Sequence, residues 1–211
     1  SSPISRRVMS SSPNLRVVAK FTIGVDDVDV EAATDLGVLV CHGPTESNWG
    51  GVAEGAMAMM LAMLKKTRER DEAVKAGGWR DPRLMGAYVG KRQNVHQDGY
   101  GGITIGLIGL GRIGRRFADL LAPWRARVIA YDPYVDRSVF VHHNVERVDL
   151  DTLLETSDVV SLHVVLNKET HHMMGAREFG LMKPSAIFLN TARGGAVDED
   201  ALFRALDRDK I

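Results

Sequence analysis

The stretch Ile103-Thr104-Ile105-Gly106-Leu107-Ile108-Gly109-Leu110-Gly111-Arg112-Ile113-Gly114 decides the fold. Its first half, Ile103 to Ile108, is an apolar run of strand length, which predicts a buried strand. Its second half fits G-x-G-x-x-G through Gly109, Gly111 and Gly114. Each glycine in that spacing has a mechanical reason: the first makes a tight turn out of the strand, the second lets backbone approach a pyrophosphate, and the third lets helix and sheet pack closely. A helix is predicted from Arg112 to Ala122, stopped by Pro123. Its first turn would present free N–H groups and the positive end of its dipole to the phosphates. The next strand, Val128 to Tyr131, ends in Asp132. Dinucleotide-binding turns place an acid about 20 residues further on, where it accepts hydrogen bonds from ribose hydroxyls. A carboxylate there would repel the additional phosphate of NADP, which favours NAD. Two plainer readings stay open: an ordinary strand–helix turn, and for Asp132 a turn residue ahead of Pro133.

Downstream, the alternation of strand and helix continues. Asp149 to Leu154 opens a short helix and Val159 to Leu162 is a strand. Ala176 to Met182 is helical, with Pro184 behind it, and Ala186 to Leu189 is a further apolar strand. Asp198 is placed to cap a last helix carrying Leu202 and Leu206 on one face. Apolar strands alternating with helices imply an α/β fold: a doubly wound parallel sheet covered on both sides. Upstream, residues 15–20 and 38–40 read as strands flanking a helix from Asp26 to Leu36 that Gly37 ends. Residues 43–48 read as a loop. A helix from Val52 to about Arg70 is apolar almost all round, which predicts burial between domains or subunits. Met57, Met59, Met60 and Met63 on it read as core filler rather than as a ligand set. Residues 77–102 read as a long irregular connection, of a length that is functional or holds an interface. The expected division is a first domain over 1–45 and a second over 46–211.

Composition excludes several classes. The 211 residues are 45% apolar, enough for a sizeable core. Lys+Arg and Asp+Glu both number 27, so no basic excess drives binding to nucleic acid or a membrane surface. No apolar run is long enough to cross a bilayer, and the first residues lack the apolar centre of a signal peptide. Cys41 is the only cysteine, which suits a reducing compartment. A soluble cytoplasmic protein is expected. There is no internal repeat.

A second constellation, Asn190-Thr191-Ala192-Arg193-Gly194-Gly195-Ala196-Val197-Asp198, follows the last strand. Sheets of this type bind ligands beyond the carboxyl ends of their strands. An arginine there, Arg193, could fork onto a carboxylate, or be a surface residue in a glycine-rich turn. The paired histidines 142–143 and 171–172 lack metal-ligand spacing, so surface positions and no metal are expected.

Together, Gly106 to Gly114, Asp158-Val159-Val160-Ser161-Leu162-His163 with Glu169-Thr170, Phe188 to Leu202, Pro13 to Val18, Gly24 to Asp29 and Val52-Ala53-Glu54 resemble the D-isomer-specific 2-hydroxyacid dehydrogenase family along nearly the whole chain. The resemblance implies a Rossmann NAD-binding domain preceded by a partial flavodoxin-like substrate domain. It implies hydride transfer between NAD and a small 2-keto or D-2-hydroxy acid, as in D-3-phosphoglycerate dehydrogenase and glyoxylate/hydroxypyruvate reductase. Arg193 would be the catalytic arginine on the substrate, and backbone amides of Ile23 and Gly24 would grip its carboxylate. Arg112 and Ile113 would sit over the pyrophosphate and Asp132 on the ribose. Val164, Thr191 and Ala192 would line the nicotinamide side. His163 would meet the cofactor through its strand-end loop and not as a base, and His42, His96, His142, His143, His171 and His172 match no catalytic position. Thr22 stands where many members carry glycine, which would narrow the carboxylate loop. Val165 stands where proline is usual, which would loosen its own loop. The helix from Val52 and the 77–102 connection would build a homodimer. The family's catalytic glutamate and histidine lie downstream of the Arg193 segment, so this chain is expected to be a fragment with little or no turnover alone. A non-catalytic NAD-sensing module, like the family's corepressor relatives, is the alternative; a fragment that binds nothing is the plainest one.

Overall fold

Most strands of the second half form where apolar residues run together, and in the computed structural model they become the centre of a layered α/β arrangement. The structure describes residues 3–79, 81–85, 102–208 and 211. The chain divides into two units, Ser1–Trp49 and Gly50–Ile211.

In the first unit, α1 (Arg6–Ser10), β1 (Val17–Lys20), α2 (Val30–Asp35) and β2 (Leu39–His42) follow in order. β1 and β2 pair in parallel, Val17 with Leu39 through Lys20 with His42. The helix expected from Asp26 opens only at Val30. The Val28 amide closes a turn onto the Val25 carbonyl at 2.9 Å, and Asp29 caps the Ala32 amide at 2.9 Å. Gly37, at φ +65°, ends α2 in a conformation that favours glycine. Met9, Ala32, Ala33 and Val38 form a small core.

α3 (Glu46–Leu64) starts within the stretch expected to be a loop. It does not reach Arg70 either: Lys66 adopts φ 48°, and a separate charged helix, α4 (Thr67–Lys75), follows. Nor is α3 buried all round. Ala53, Ala56 and Met60 are buried in the core of the second unit, whereas Met59 is 45% and Met63 51% exposed. Of the 77–102 connection, a short helix α5 (Pro82–Met85) is seen, and residues 86–101 lie outside the described residues, His96 among them.

The second unit holds β3 (Thr104–Ile108), α6 (Arg112–Leu121), β4 (Arg127–Tyr131), α7 (Arg137–His142), β5 (Glu146–Arg147), α8 (Leu150–Thr156), β6 (Val159–Leu162), α9 (Ala176–Leu181), β7 (Ile187–Asn190) and α10 (Glu199–Asp207). The strands lie in the order β5-β4-β3-β6-β7, every pair parallel. Neighbouring residues along β3 serve opposite faces, as a strand's period of two requires. Leu107 joins Phe117, Ala130 and Val159 in one apolar cluster, and Ile108 joins Ile129, Val160 and Leu162 in another. Each fully buried Leu, Ile or Phe contributes about 1.5–3 kcal/mol. At Gly106 a β-carbon would lie 2.6 Å from the Leu153 side chain, so its absence lets α8 close on the sheet.

At the amino ends of the strands, the Asp158 carboxylate accepts the Thr104 amide at 2.9 Å and pairs with Lys183 at 3.2 Å. Arg127 grips Glu146 there through both oxygens at 2.8 Å. Asp198 caps α10 at the Ala201 amide, 3.0 Å. The buried face of α10, however, is Ala201 and Ala205; Leu202 is half-buried and Leu206 is 54% exposed. The smaller side chains allow the closer approach to α9.

Candidate functional site

The candidate site lies at the carboxyl ends of β3, β4, β6 and β7. Gly109 leaves β3 at φ +96°, and its amide donates to the Tyr131 carbonyl at 2.9 Å. A β-carbon at Gly109 would lie 2.8 Å from the His163 carbonyl oxygen. At Gly114 one would collide with the carbonyl of Gly109. At Gly111 it would meet no atom of the described residues within 4 Å, which leaves that face of the turn open. Two glycines thus serve packing and the third leaves space. Gly111 also heads α6, whose first amides have no turn before them to bond. Arg112 is exposed beside the turn and Ile113 is half-buried against the core.

Asp132 is joined to this turn. One carboxylate oxygen accepts the Leu110 amide at 2.8 Å, and the other accepts the amides of Tyr134 and Val135 at 2.9 and 3.2 Å. It therefore does hold the turn ahead of α7, and remains half-buried at the rim of a cavity of about 590 Å³. Asp132, Pro133, Arg147, Val148 and Thr152 line that cavity. Arg115 braces the turn from behind, donating to the Leu110 carbonyl at 2.9 Å. Tyr134 donates to Glu169, linking the loops that leave β4 and β6 on either side of β3, and the bonded carboxylate raises the Tyr134 pKa.

His163 is buried beneath the turn. Its Nε2 lies 3.0 Å from Ser161 Oγ and its Nδ1 3.3 Å from Thr191 Oγ1, and its ring tilts against Phe117 at 5.4 Å. Burial lowers its pKa to about 4, so the ring is neutral in ordinary buffers. Val164, Thr191 and Ala192 are half-buried beside it and Arg193 is exposed. The Arg193 turn is shaped by Asn190, which the sequence did not single out. Its Oδ1 accepts the Ala192 amide and its Nδ2 donates to the Arg193 carbonyl, both at 3.0 Å. An Asn at a strand end two residues before a turn amide is the available signal.

The glycine turn, Asp132, His163, Val164, Thr191, Ala192 and Arg193 are thus gathered on one rim of one sheet. Ile23 and Gly24 are half-buried in the other unit, in a loop where Thr22 Oγ1 donates to the Gly24 carbonyl at 3.3 Å. The loop after Val165 is not loose. Asn167 Oδ1 accepts the amides of Glu169 and Thr170, and Thr170 Oγ1 donates to the Val165 carbonyl at 2.6 Å. His42, His142, His171 and His172 are exposed, but His143 is half-buried and bonds Asp119 at 2.6 Å, tying α7 to α6. Among the described residues no three His, Cys, Asp or Glu gather as metal ligands. Nor is any helix there long and apolar enough to cross a membrane.

Comparison with known proteins adds the family. Residues 57–211 match the family model described as D-isomer specific 2-hydroxyacid dehydrogenase, NAD binding domain. D-3-phosphoglycerate dehydrogenase of Archaeoglobus fulgidus is 37% identical over 208 residues, 99% of this chain and 37% of its own length. Glyoxylate reductase of Thermococcus litoralis is 36% identical over 205 residues, 96% of this chain and 60% of its own. Among solved structures, D-lactate dehydrogenase of Aquifex aeolicus, complexed with NAD and lactic acid, superposes with a TM-score of 0.85 at 33% identity. That match covers 97% of this chain and 58% of the other. The chain therefore spans between about a third and three fifths of the relatives it matches. With its glycine turn, its parallel sheet and this match over most of its length, the chain belongs to the D-isomer specific 2-hydroxyacid dehydrogenase family.

Proposed function

We propose that this chain binds NAD at the glycine turn and serves hydride exchange between the cofactor and a small 2-keto or 2-hydroxy acid. The observation that carries the reading is the open face at Gly111, beside a turn bonded at 2.8 Å to Asp132. The residues present fit a dinucleotide: a cradle that only glycine leaves free, a helix start for the pyrophosphate and a carboxylate at the adjoining cavity. The turn of Gly109, Gly111, Arg112, Ile113 and Gly114 holds the pyrophosphate, with Gly109 and Gly114 shaping it and Gly111 leaving the space. Asp132 accepts from the ribose and disfavours a phosphorylated one. His163 contributes its loop, and Val164, Thr191 and Ala192 line the nicotinamide end. NAD, when bound, supplies the site that takes up or gives back a hydride.

The remaining roles concern the substrate. Arg193 is the catalytic arginine: its guanidinium holds the substrate carboxylate and draws charge from the carbonyl. In the first unit, the backbone amides of Ile23 and Gly24 are proposed as donors to a substrate carboxylate. His163 is unsuited to proton transfer at the substrate, since it is buried, neutral and bonded at both nitrogens. On this reading residues 1–45 belong to a substrate domain and 46–211 to the NAD domain. The exposed Met59 and Met63 on α3 support a homodimer, and a lone, free Cys41 supports a cytoplasmic setting.

The test is Gly111→Ala. The added methyl meets no atom of the described residues within 4 Å, so unfolding stability should move by no more than about 0.5 kcal/mol. It stands where the pyrophosphate would lie, so NADH affinity measured by fluorescence titration should fall at least about tenfold. Unchanged NADH affinity in a stably folded variant would overturn the reading.

A further inference from the structure

The buried histidine of the site has two hydrogen-bond partners and a neutral ring can satisfy them in two ways. A neutral imidazole carries one N–H and one bare nitrogen. In one arrangement Nε2–H donates to Ser161 and the bare Nδ1 accepts from Thr191. The Ser161 hydroxyl hydrogen then needs another acceptor. Ser161 is 0% exposed, and among the described residues Nε2 is the only partner of its hydroxyl. A buried O–H left unbonded disfavours that arrangement on the order of tenfold or more. In the other arrangement Ser161 O–H donates to Nε2, and Nδ1–H donates to Thr191 Oγ1 across 3.3 Å. No buried donor is then left over. The Thr191 hydroxyl, already an acceptor from the ring, must send its own hydrogen elsewhere. Thr191 is half-buried at the carboxyl end of β7 and its hydroxyl has no second partner among the described residues. Its hydrogen is therefore left for solvent or a ligand to accept.

We propose that Ser161, His163 and Thr191 form a one-way hydrogen-bond relay that fixes His163 as the Nδ1–H tautomer and makes Thr191 a donor to an amide oxygen of the bound cofactor, at its nicotinamide end. The side chains of Ser161 and His163 are then positioning groups that act through Thr191. The relay rests on the NAD reading for its ligand, but its tautomer is a property of the free chain.

Two measurements on the 211-residue chain separate these parts. Long-range proton–nitrogen NMR of the histidine rings, with His163 assigned by the signal that Thr191→Val and Ser161→Ala perturb, reports the tautomer without cofactor. A neutral ring protonated on Nδ1 is expected; a ring protonated on Nε2, or charged at neutral pH, overturns the relay. NADH titration then tests the donor. Thr191→Val, which keeps the branched shape and loses the hydroxyl, should weaken binding about 3- to 10-fold, and Thr191→Ser should restore it. Equal binding by Thr191→Val overturns the donor role. Failure of the unaltered chain to bind NADH sinks the NAD reading and the donor role together, while the NMR result still decides the tautomer.

Discussion

A histidine enclosed by a serine, a threonine and a phenylalanine remains in place only while it is uncharged, and this couples His163 to pH. Its folded pKa is lowered from 6.5 to about 4 by burial. Above 6.5 the ring is neutral whether the chain is folded or not, so the contribution to stability is full. Between 6.5 and about 4 the unfolded chain takes up a proton that the folded chain refuses, and stability falls as the pH falls. Below about 4 both forms are charged and the loss levels off, at about 3 kcal/mol in all. Urea unfolding of the unaltered chain should therefore show a midpoint that drops between pH 6.5 and 5. His163→Asn, which does not titrate, should show a shallower drop over the same range whatever its starting stability. Equal slopes would mean that the ring is hydrated. The same residue shows what sequence alone conveys. Its place at a strand end was legible. The relay through Ser161 and Thr191 was not, because it joins β6 to β7 and depends on burial.

Elements were legible in proportion to the length and regularity of their apolar pattern. β3, β4, β6, β7 and α6 stood out as strong runs beside glycine and proline punctuation. α7 and β5 did not. One is six residues long, and the other is the two-residue polar edge strand Glu146–Arg147, too short to carry a period. The start of α3 was hidden by Gly50 and Gly51, poor helix formers that tertiary packing overrides. On α10 the leucines suggested one buried face, but the sheet side selected Ala201 and Ala205. The break between α3 and α4 had no signal at all, because Lys66 is an unremarkable residue in a left-handed conformation. That conformation costs a side-chain-bearing residue about 1–2 kcal/mol and glycine almost nothing. Lys66→Gly should accordingly stabilise the chain by up to about 1 kcal/mol in urea unfolding, after glycine's larger entropy loss is set against the gain. A loss of that size instead would show that the two helices run on as one in solution.

For the whole chain, the two units differ in how much core each owns. The second has apolar clusters on both faces of a five-stranded sheet; the first has four buried residues at the centre of its cluster. Small cores seldom hold a fold alone. A chain of residues 46–211, which keeps α3 whole, should give a cooperative thermal transition followed by circular dichroism. Residues 1–45 alone should give none. A cooperative transition in the shorter piece, or its absence in the longer, would contradict this account of where the stability resides. The sheet itself assigns different work to its two rims. Glycine turn, Asp132, His163 and Arg193 all sit where the strands finish, whereas Asp158 with Lys183, and Arg127 with Glu146, sit where they begin. Anyone wishing to make a hardier version of this protein thus has a workbench at the far end of the sheet, where charges can be rearranged for durability without disturbing what the near end holds.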